Sequence, residues 1–278
     1  MNKLKYVIPF FLAVFFMKQA AGQEVKATSE NHKDGQLTQA TGQEFKVTVE
    51  NNKDGQLTLE DFPGDLPIEG YSGNEIIVTS TSGRFEVPDR AKGLKPVYGG
   101  GTDNTGIALA MEKNGNKVTF RCLLPITRGA DYRLKVPENF AIRIRRDCAR
   151  GGETTIQNIK NEIDFNGCNS LTLKNVTGPL AVSTISGSVD VVFTEISKDK
   201  PISIVTVSGE VDITLPAKAP VELEMSTVSG SMYSDFDFPA SNNNMRRVGG
   251  SSVHSELNGG GTALRTSSVS GNIYLRKG

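Results

Sequence analysis

Between Leu171 and Leu275 one short phrase returns five times: Asn175-Val-Thr-Gly178, Thr184-Ile-Ser-Gly187, Thr206-Val-Ser-Gly209, Thr227-Val-Ser-Gly230 and Ser268-Val-Ser-Gly271. A looser copy, Ser80-Thr-Ser-Gly83, stands upstream. Aligned on their glycines, the copies carry apolar residues in fixed columns. Leu180 and Val182, Ile202 and Ile204, and Leu223 and Met225 precede the glycine; Val189 and Val191, Val211 and Ile213, and Ile273 and Leu275 follow it. A spacing of two residues within each arm makes the arms strands with one apolar face. Val176, Ile185, Val207, Val228 and Val269, two positions before the glycine, are expected to pile into the same interior stacks. Each glycine is expected to turn a corner through positive φ. The Ser or Thr before it is expected to bond local backbone.

The corner glycines 187, 209 and 230 fall 22 and 21 residues apart, and 230 to 271 is close to two periods. A fixed period of that length is the signature of stacked repeats, each pairing with its neighbours at about 4.8 Å. The expected fold is therefore all-β: a parallel β-solenoid, a right-handed single-stranded β-helix with rungs of about 20–22 residues, preceded by an irregular N-terminal β section. A β-sandwich is the competing architecture, but Greek-key strands do not keep aligned columns at constant phase. The 29 glycines, the absence of Trp and the lack of any long amphipathic pattern agree with an all-β chain.

Residues 1–22 read as a signal peptide, with Lys3 and Lys5 ahead of a 12-residue apolar run and small residues at Ala20-Ala21-Gly22. No Cys follows the run, so a lipoprotein anchor is not expected. The mature chain is then exported, to the periplasm, the outer surface or the medium, with no integral membrane segment. It keeps 28 basic residues against 31 acidic ones, a balance that does not attract nucleic acid or anionic lipid through bulk charge. Residues 22–41 and 42–61 are a tandem duplication, identical at 13 of 20 positions. The second copy reads as a β-hairpin about Lys53-Asp54-Gly55. The weaker first copy, 23–41, is a degenerate leader, and 42–278 form one domain. Glu50 to Asp61 spaces oxygen ligands like an EF-hand loop, but the entering segment alternates like a strand and Pro63 blocks an exiting helix. Glu75–Val87 is expected to be an upstream rung, and strands are expected at 118–124, 132–136 and 140–144. Between Phe238 and Gly261 the pattern loosens into an irregular rung with a polar insertion.

Chemistry-bearing motifs are sparse. Cys148 and Cys168, 20 residues apart, would meet on neighbouring rungs and are a disulfide candidate. Cys122 alternates with apolar residues and reads as a buried thiol. His32 and His254 read as surface side chains. Gly99-Gly-Gly101 lacks the Lys-Ser/Thr of a phosphate cradle. Asp190 and Asp212 each follow a corner glycine by three residues and could stack, with Asp235 and Asp237 in the next rung. Stacked like charges repel, so a solvated face is expected. No catalytic residue, metal site or cofactor is expected.

The phrases Leu134-Lys-Val-Pro137, Asn175-Val-Thr-Gly-Pro179, Thr184-Ile-Ser-Gly-Ser-Val-Asp-Val-Val-Phe193, Thr206-Val-Ser-Gly-Glu-Val-Asp212 and Ser268-Val-Ser-Gly-Asn-Ile-Tyr-Leu275 make residues 42–278 resemble the bacterial putative-adhesin domain of β-strand repeats. The form it resembles is that of gut-type Bacteroidetes. The resemblance implies a parallel β-helix, export and an adhesive or envelope role, with no catalytic residues. The expected function is a non-enzymatic surface protein that binds a glycan or protein through the solenoid wall. The alternatives are a polysaccharide-active β-helix enzyme and a structural or stress-responsive envelope component.

Overall fold

A computed structural model describes residues 43–80, 88–198, 200–238 and 250–278. The leader, the first duplicated copy, His32, Gly83 with Phe85 and Val87, and the insertion 239–249 lie outside the described residues.

Alternation of apolar and polar residues makes nearly every element a strand. In chain order these are β1 (Gln43–Thr48), β2 (Gln56–Glu60), β3 (Leu66–Tyr71), β4 (Glu75–Ser80), β5 (Val97–Tyr98), β6 (Gly101–Thr102), β7 (Leu109–Asn114) and β8 (Lys117–Cys122). Then come β9 (Tyr132–Pro137), β10 (Ala141–Arg145), β11 (Thr154–Gln157), β12 (Ile163–Gly167), β13 (Leu171–Val176), β14 (Leu180–Thr184) and β15 (Val189–Phe193). The last are β16 (Ile202–Thr206), β17 (Val211–Leu215), β18 (Val221–Thr227), β19 (Met232–Ser234), β20 (Ser251–Leu257), β21 (Thr262–Ser268) and β22 (Ile273–Lys277).

Two ten-stranded sheets face one another. The first has the order β1-β4-β9-β3-β11-β13-β15-β17-β22-β19 and the second β20-β18-β21-β16-β14-β12-β10-β2-β8-β7. One strand from each sheet makes a rung, and neighbouring rungs pair in parallel. Ile163 pairs with Leu180, 17 positions on, and Leu180 with Ile202, 22 positions on. Inside the second sheet the register stacks Val118, Leu57, Ile142, Ile163, Leu180, Ile202, Leu264 and Leu223 into one column. All eight are buried. Each such side chain contributes roughly 1.5–3 kcal/mol by leaving water, so the column holds the rungs in register.

Several expectations need correction. Rungs follow chain order only in the middle. The last rung in sequence, β21–β22, lies between β16–β17 and β18–β19, so Gly271 sits between Gly209 and Gly230 in space. At the other end β2–β3 lies between β8–β9 and β10–β11. The 42–61 segment is no hairpin: β1 joins the first sheet and β2 the second. Each has one apolar face, and the two faces are buried from opposite sides of the same core. The stretch from Glu75 is no rung either, because β4 runs antiparallel to both β1 and β9. The second sheet ends on antiparallel strands, β7 and β20. A change of direction at a sheet end stops the parallel stack from propagating.

Cys148 and Cys168 sit at successive turns from the second sheet to the first, with Cα atoms 5.0 Å apart and their sulfurs bonded. Reduction is expected to lower the unfolding free energy by about 3 kcal/mol. Urea midpoints with and without a thiol reductant measure this; equal midpoints would mean that rung pairing alone fixes these turns.

Candidate functional site

The repeated phrase forms the corner that leads from the second sheet into the first. In β14 the pattern Leu180 in, Ala181 out, Val182 in, Ser183 out continues unbroken, so Thr184 points inward and Ile185 outward. The same parity holds for Thr206 and Val207, Thr227 and Val228, and Ser268 and Val269. This overturns the interior placement of the residue before the Ser-Gly pair. Ile185 is 51% exposed, Val207 46%, Val269 47% and Val228 60%. Val176 alone is buried, because a bulge between Lys174 and Val176 shifts the parity there. The bulge residue Asn175 adopts φ 55°, and its copy of the phrase belongs to the opposite corner.

The four outward aliphatics form a continuous ladder, in the spatial order Ile185, Val207, Val269, Val228. Backbone bonds carry it around the bend: Ser208 N donates to Ile185 O at 2.8 Å, Ser270 N to Val207 O at 2.9 Å and Ser229 N to Val269 O at 2.8 Å. The inward hydroxyls complete the corner. Thr206 Oγ1 donates to Gly187 O at 3.4 Å, Ser268 Oγ to Gly209 O at 3.1 Å and Thr227 Oγ1 to Gly271 O at 3.0 Å. The hydroxyls therefore serve the neighbouring rung's backbone rather than their own. None of the glycines 178, 187, 209, 230 and 271 has positive φ. Their reason is close approach. A Cβ at Gly209, Gly271 or Gly230 would lie under 3.0 Å from the carbonyl oxygen of the next corner glycine, and one at Gly178 would meet Asn161 O.

Beside the aliphatic ladder runs a second outward column, Ser183, Val205, Ser267, Ser226 and Ser252, set by the register of the second sheet. Val207, Val269 and Val228 of the ladder, with Val205, Ser267, Ser226 and Ser252 of the second column, line an open groove of about 370 Å³. The site thus offers an apolar ridge at the rung spacing and, beside it, a column of hydroxyls interrupted by Val205. That pattern suits an extended ligand with one apolar face and regularly placed polar groups.

The outer face of the first sheet differs. Asp190 and Asp212 are register partners, and burial, then Asp212, Glu153 and Glu210, push the Asp190 carboxyl up. The carboxylate ladder stops there, because β22 places Tyr274, not Asp235, against Asp212. Arg276 forks onto Asp212, with Nε to Oδ1 at 2.8 Å and Nη2 to Oδ2 at 2.7 Å. Tyr274 stacks on Tyr233 with centroids 5.3 Å apart and donates to Glu210 Oε1 at 3.1 Å. Asp237 instead lies 3.9 Å from Lys277 Nζ. His254 is on the exposed face of β20, 3.5 Å from Glu224. Cys122 is a buried free thiol, pushed up by burial. Among the described residues no cluster of His, Cys, Asp or Glu could hold a metal ion, and no helix is long and apolar enough to cross a membrane.

The aliphatic ladder was within reach of the sequence. Extending the period-two pattern from Leu180 through Thr184 places Thr inside and Ile185 outside. The signal lost to the reading was parity, overridden by the hydrophobic character of Ile and Val.

Residues 154–276 match the family model described as Toastrack DUF4097. Three solved structures are similar over most of the chain. A "putative cell adhesion protein" from Clostridium sporogenes gives a TM-score of 0.46 at 11% identity, covering 85% of this chain and 100% of that one. A "putative adhesin" from Bacteroides fragilis gives 0.31 at 11% identity, covering 84% and 95%. Another from Parabacteroides merdae gives 0.30 at 10% identity, with the same coverage. No curated protein matches the sequence.

Proposed function

We propose that this chain, whose residues 154–276 match the Toastrack family model, is an exported, non-enzymatic envelope or surface protein that holds a glycan or protein ligand against the outer wall of its second sheet. The observation that carries the reading is the ladder Ile185, Val207, Val269 and Val228, four stacked aliphatics that the fold leaves about half in water. Exposing them forgoes about 25 cal/mol for each Å² of apolar surface. A contiguous apolar ridge rimmed by hydroxyls is the surface expected of a binding site. In this reading residues 1–22 direct export and are removed, 23–41 are a degenerate copy, and 42–278 are the working domain, wound right-handed as parallel crossovers almost always are. Asp190 and Asp212 do not favour glycoside cleavage, since Arg276 already neutralises Asp212.

Glycan and matrix-protein arrays probed with the exported chain test the proposal. Val207→Asp combined with Val269→Asp places two charges at the centre of the ridge without entering the core. Binding is expected to fall at least tenfold, from roughly 1.5–3 kcal/mol of apolar contact per side chain, while the unfolding midpoint stays put. Undiminished binding by the double variant would remove the ladder from the site.

A further inference from the structure

We infer that residues 88–100, ahead of β6, dock the N-terminal end of the stack onto an anionic lipid surface. Residues 88–100 emerge at the end of the molecule that carries β1, β4, β7 and β8. In this loop Leu94 is 69% exposed and Val97 78%, the two most exposed large aliphatics among the described residues. Arg90, Lys92 and Lys95 stand around them, all exposed, with Asp89 as the one acid from 88 to 100.

Several cations of the walls are ion-paired. Arg121 pairs with Glu60, Arg143 and Arg145 with Asp164, Arg265 with Glu224 and Arg276 with Asp212. Arg90, Lys92 and Lys95 have no ion-pair partner among the described residues. The loop is nevertheless built rather than loose. Ala91 N donates to Pro88 O at 2.7 Å and Leu94 N to Ala91 O at 2.9 Å. The short hairpin β5–β6 follows directly and carries Val97, with Tyr98 packed against the core. Behind the hairpin the buried Asp103 carboxylate accepts N–H bonds from Thr105, Gly106 and Ala108. Leu94 in the turn and Val97 on the hairpin that follows thus stand exposed beside long cationic side chains.

That combination selects the partner. Apolar tips with Lys and Arg around them match the boundary of a bilayer, where aliphatics enter the acyl layer and the cations reach up to anionic headgroups. A soluble polyanion would engage the cations and leave Leu94 and Val97 in water. A second copy of the loop would bring like charges together. The attraction is local, since the exported chain carries more acid than base, and its range is about 10 Å at ordinary salt. The inference is independent of the wall reading and fits it, because docking by one end leaves the ladder facing outward.

Co-sedimentation of the exported full chain with vesicles tests it. Binding is expected to vesicles of equal parts phosphatidylcholine and phosphatidylglycerol, and not to phosphatidylcholine alone. Replacing Arg90, Lys92 and Lys95 by Ser should weaken partition on the order of a hundredfold, at about fivefold per cation. Leu94→Ser with Val97→Ser leaves charge unchanged and should weaken it at least tenfold. Both sets of substitutions lie on exposed residues, so unfolding midpoints should not move. Failure of the wild type to bind the mixed vesicles, or full binding by either variant, overturns the inference. Capture of inorganic polyphosphate that is indifferent to Leu94 and Val97, without vesicle binding, would assign the loop to a soluble polyanion instead.

Discussion

Gly271→Ala is expected to cost about 3 kcal/mol or more of stability and to lower the thermal midpoint on the order of 10 °C. The added methyl has nowhere to go. Its Cβ would lie under 3.0 Å from the Gly209 carbonyl oxygen, and that carbonyl belongs to a corner clamped by Val269 N on Thr206 O and Ser270 N on Val207 O. Relief requires the rungs to separate, which breaks those bonds and loosens Leu264 and Ile273, buried on either side. The backbone conformation itself is not at issue, since φ at Gly271 is not positive. Gly129→Ala is the matched control: no atom approaches its Cβ position and its φ is ordinary, so it should stay within about 0.5 kcal/mol of wild type. Thermal and urea unfolding of both variants gives the comparison. A Gly271→Ala protein within 1 kcal/mol of wild type would mean that the corners are not held at backbone contact.

The distinction matters for reading such chains. In the sequence, the glycine of each phrase looks like a turn residue; in the structure it is a spacer between carbonyls. Both roles select glycine, and only the distance between rungs separates them. The aligned columns made the parallel stack legible, because Leu180, Ile202 and Leu264 can share an interior only if their strands lie side by side in one register. The order of the stack was not legible. Nothing local in β21–β22 says that this rung enters between two earlier ones, since any rung with the same columns fits beside any other. The duplicated 42–61 segment misled for a related reason. Two alternating strands across a Gly turn satisfy a hairpin and a rung corner equally, and packing of Gly55 against the Phe140 ring is a long-range fact. The candidate ridge was hidden by residue type: Val and Ile suggested interior where parity placed them outside. The 88–95 turn carries no sequence motif, because its meaning lies in the exposure of Leu94 beside Val97.

Arg146→Met should produce a loss of similar or larger size, about 4 kcal/mol, for the opposite physical reason. Arg146 is buried, and burial pushes its guanidinium down from the usual arginine range. Among the described residues no carboxylate hydrogen-bonds to it. Nη2 donates to Gly64 O at 2.6 Å and to Gly151 O; Nη1 donates to Thr154 Oγ1 at 2.8 Å and to Gly152 O at 3.3 Å. One side chain therefore ties the 61–66 turn to the 147–154 turn, where Gly151 and Gly152 take φ of 44° and 89°. It does so one residue before Asp147, which caps the turn holding Cys148. Methionine fills much of the volume but donates nothing, leaving three carbonyls and a hydroxyl to lose their donor at roughly 1–3 kcal/mol each, less what water recovers. Lysine has three donors on a single nitrogen and cannot reproduce the planar fork across both turns. The expected order of urea midpoints is Arg, then Lys, then Met, with the same order in the reduced protein, because the clamp acts through hydrogen bonds rather than through the adjacent bridge. A methionine variant as stable as wild type would show that these carbonyls find water unaided, and the buried charge would then need another reason to be there.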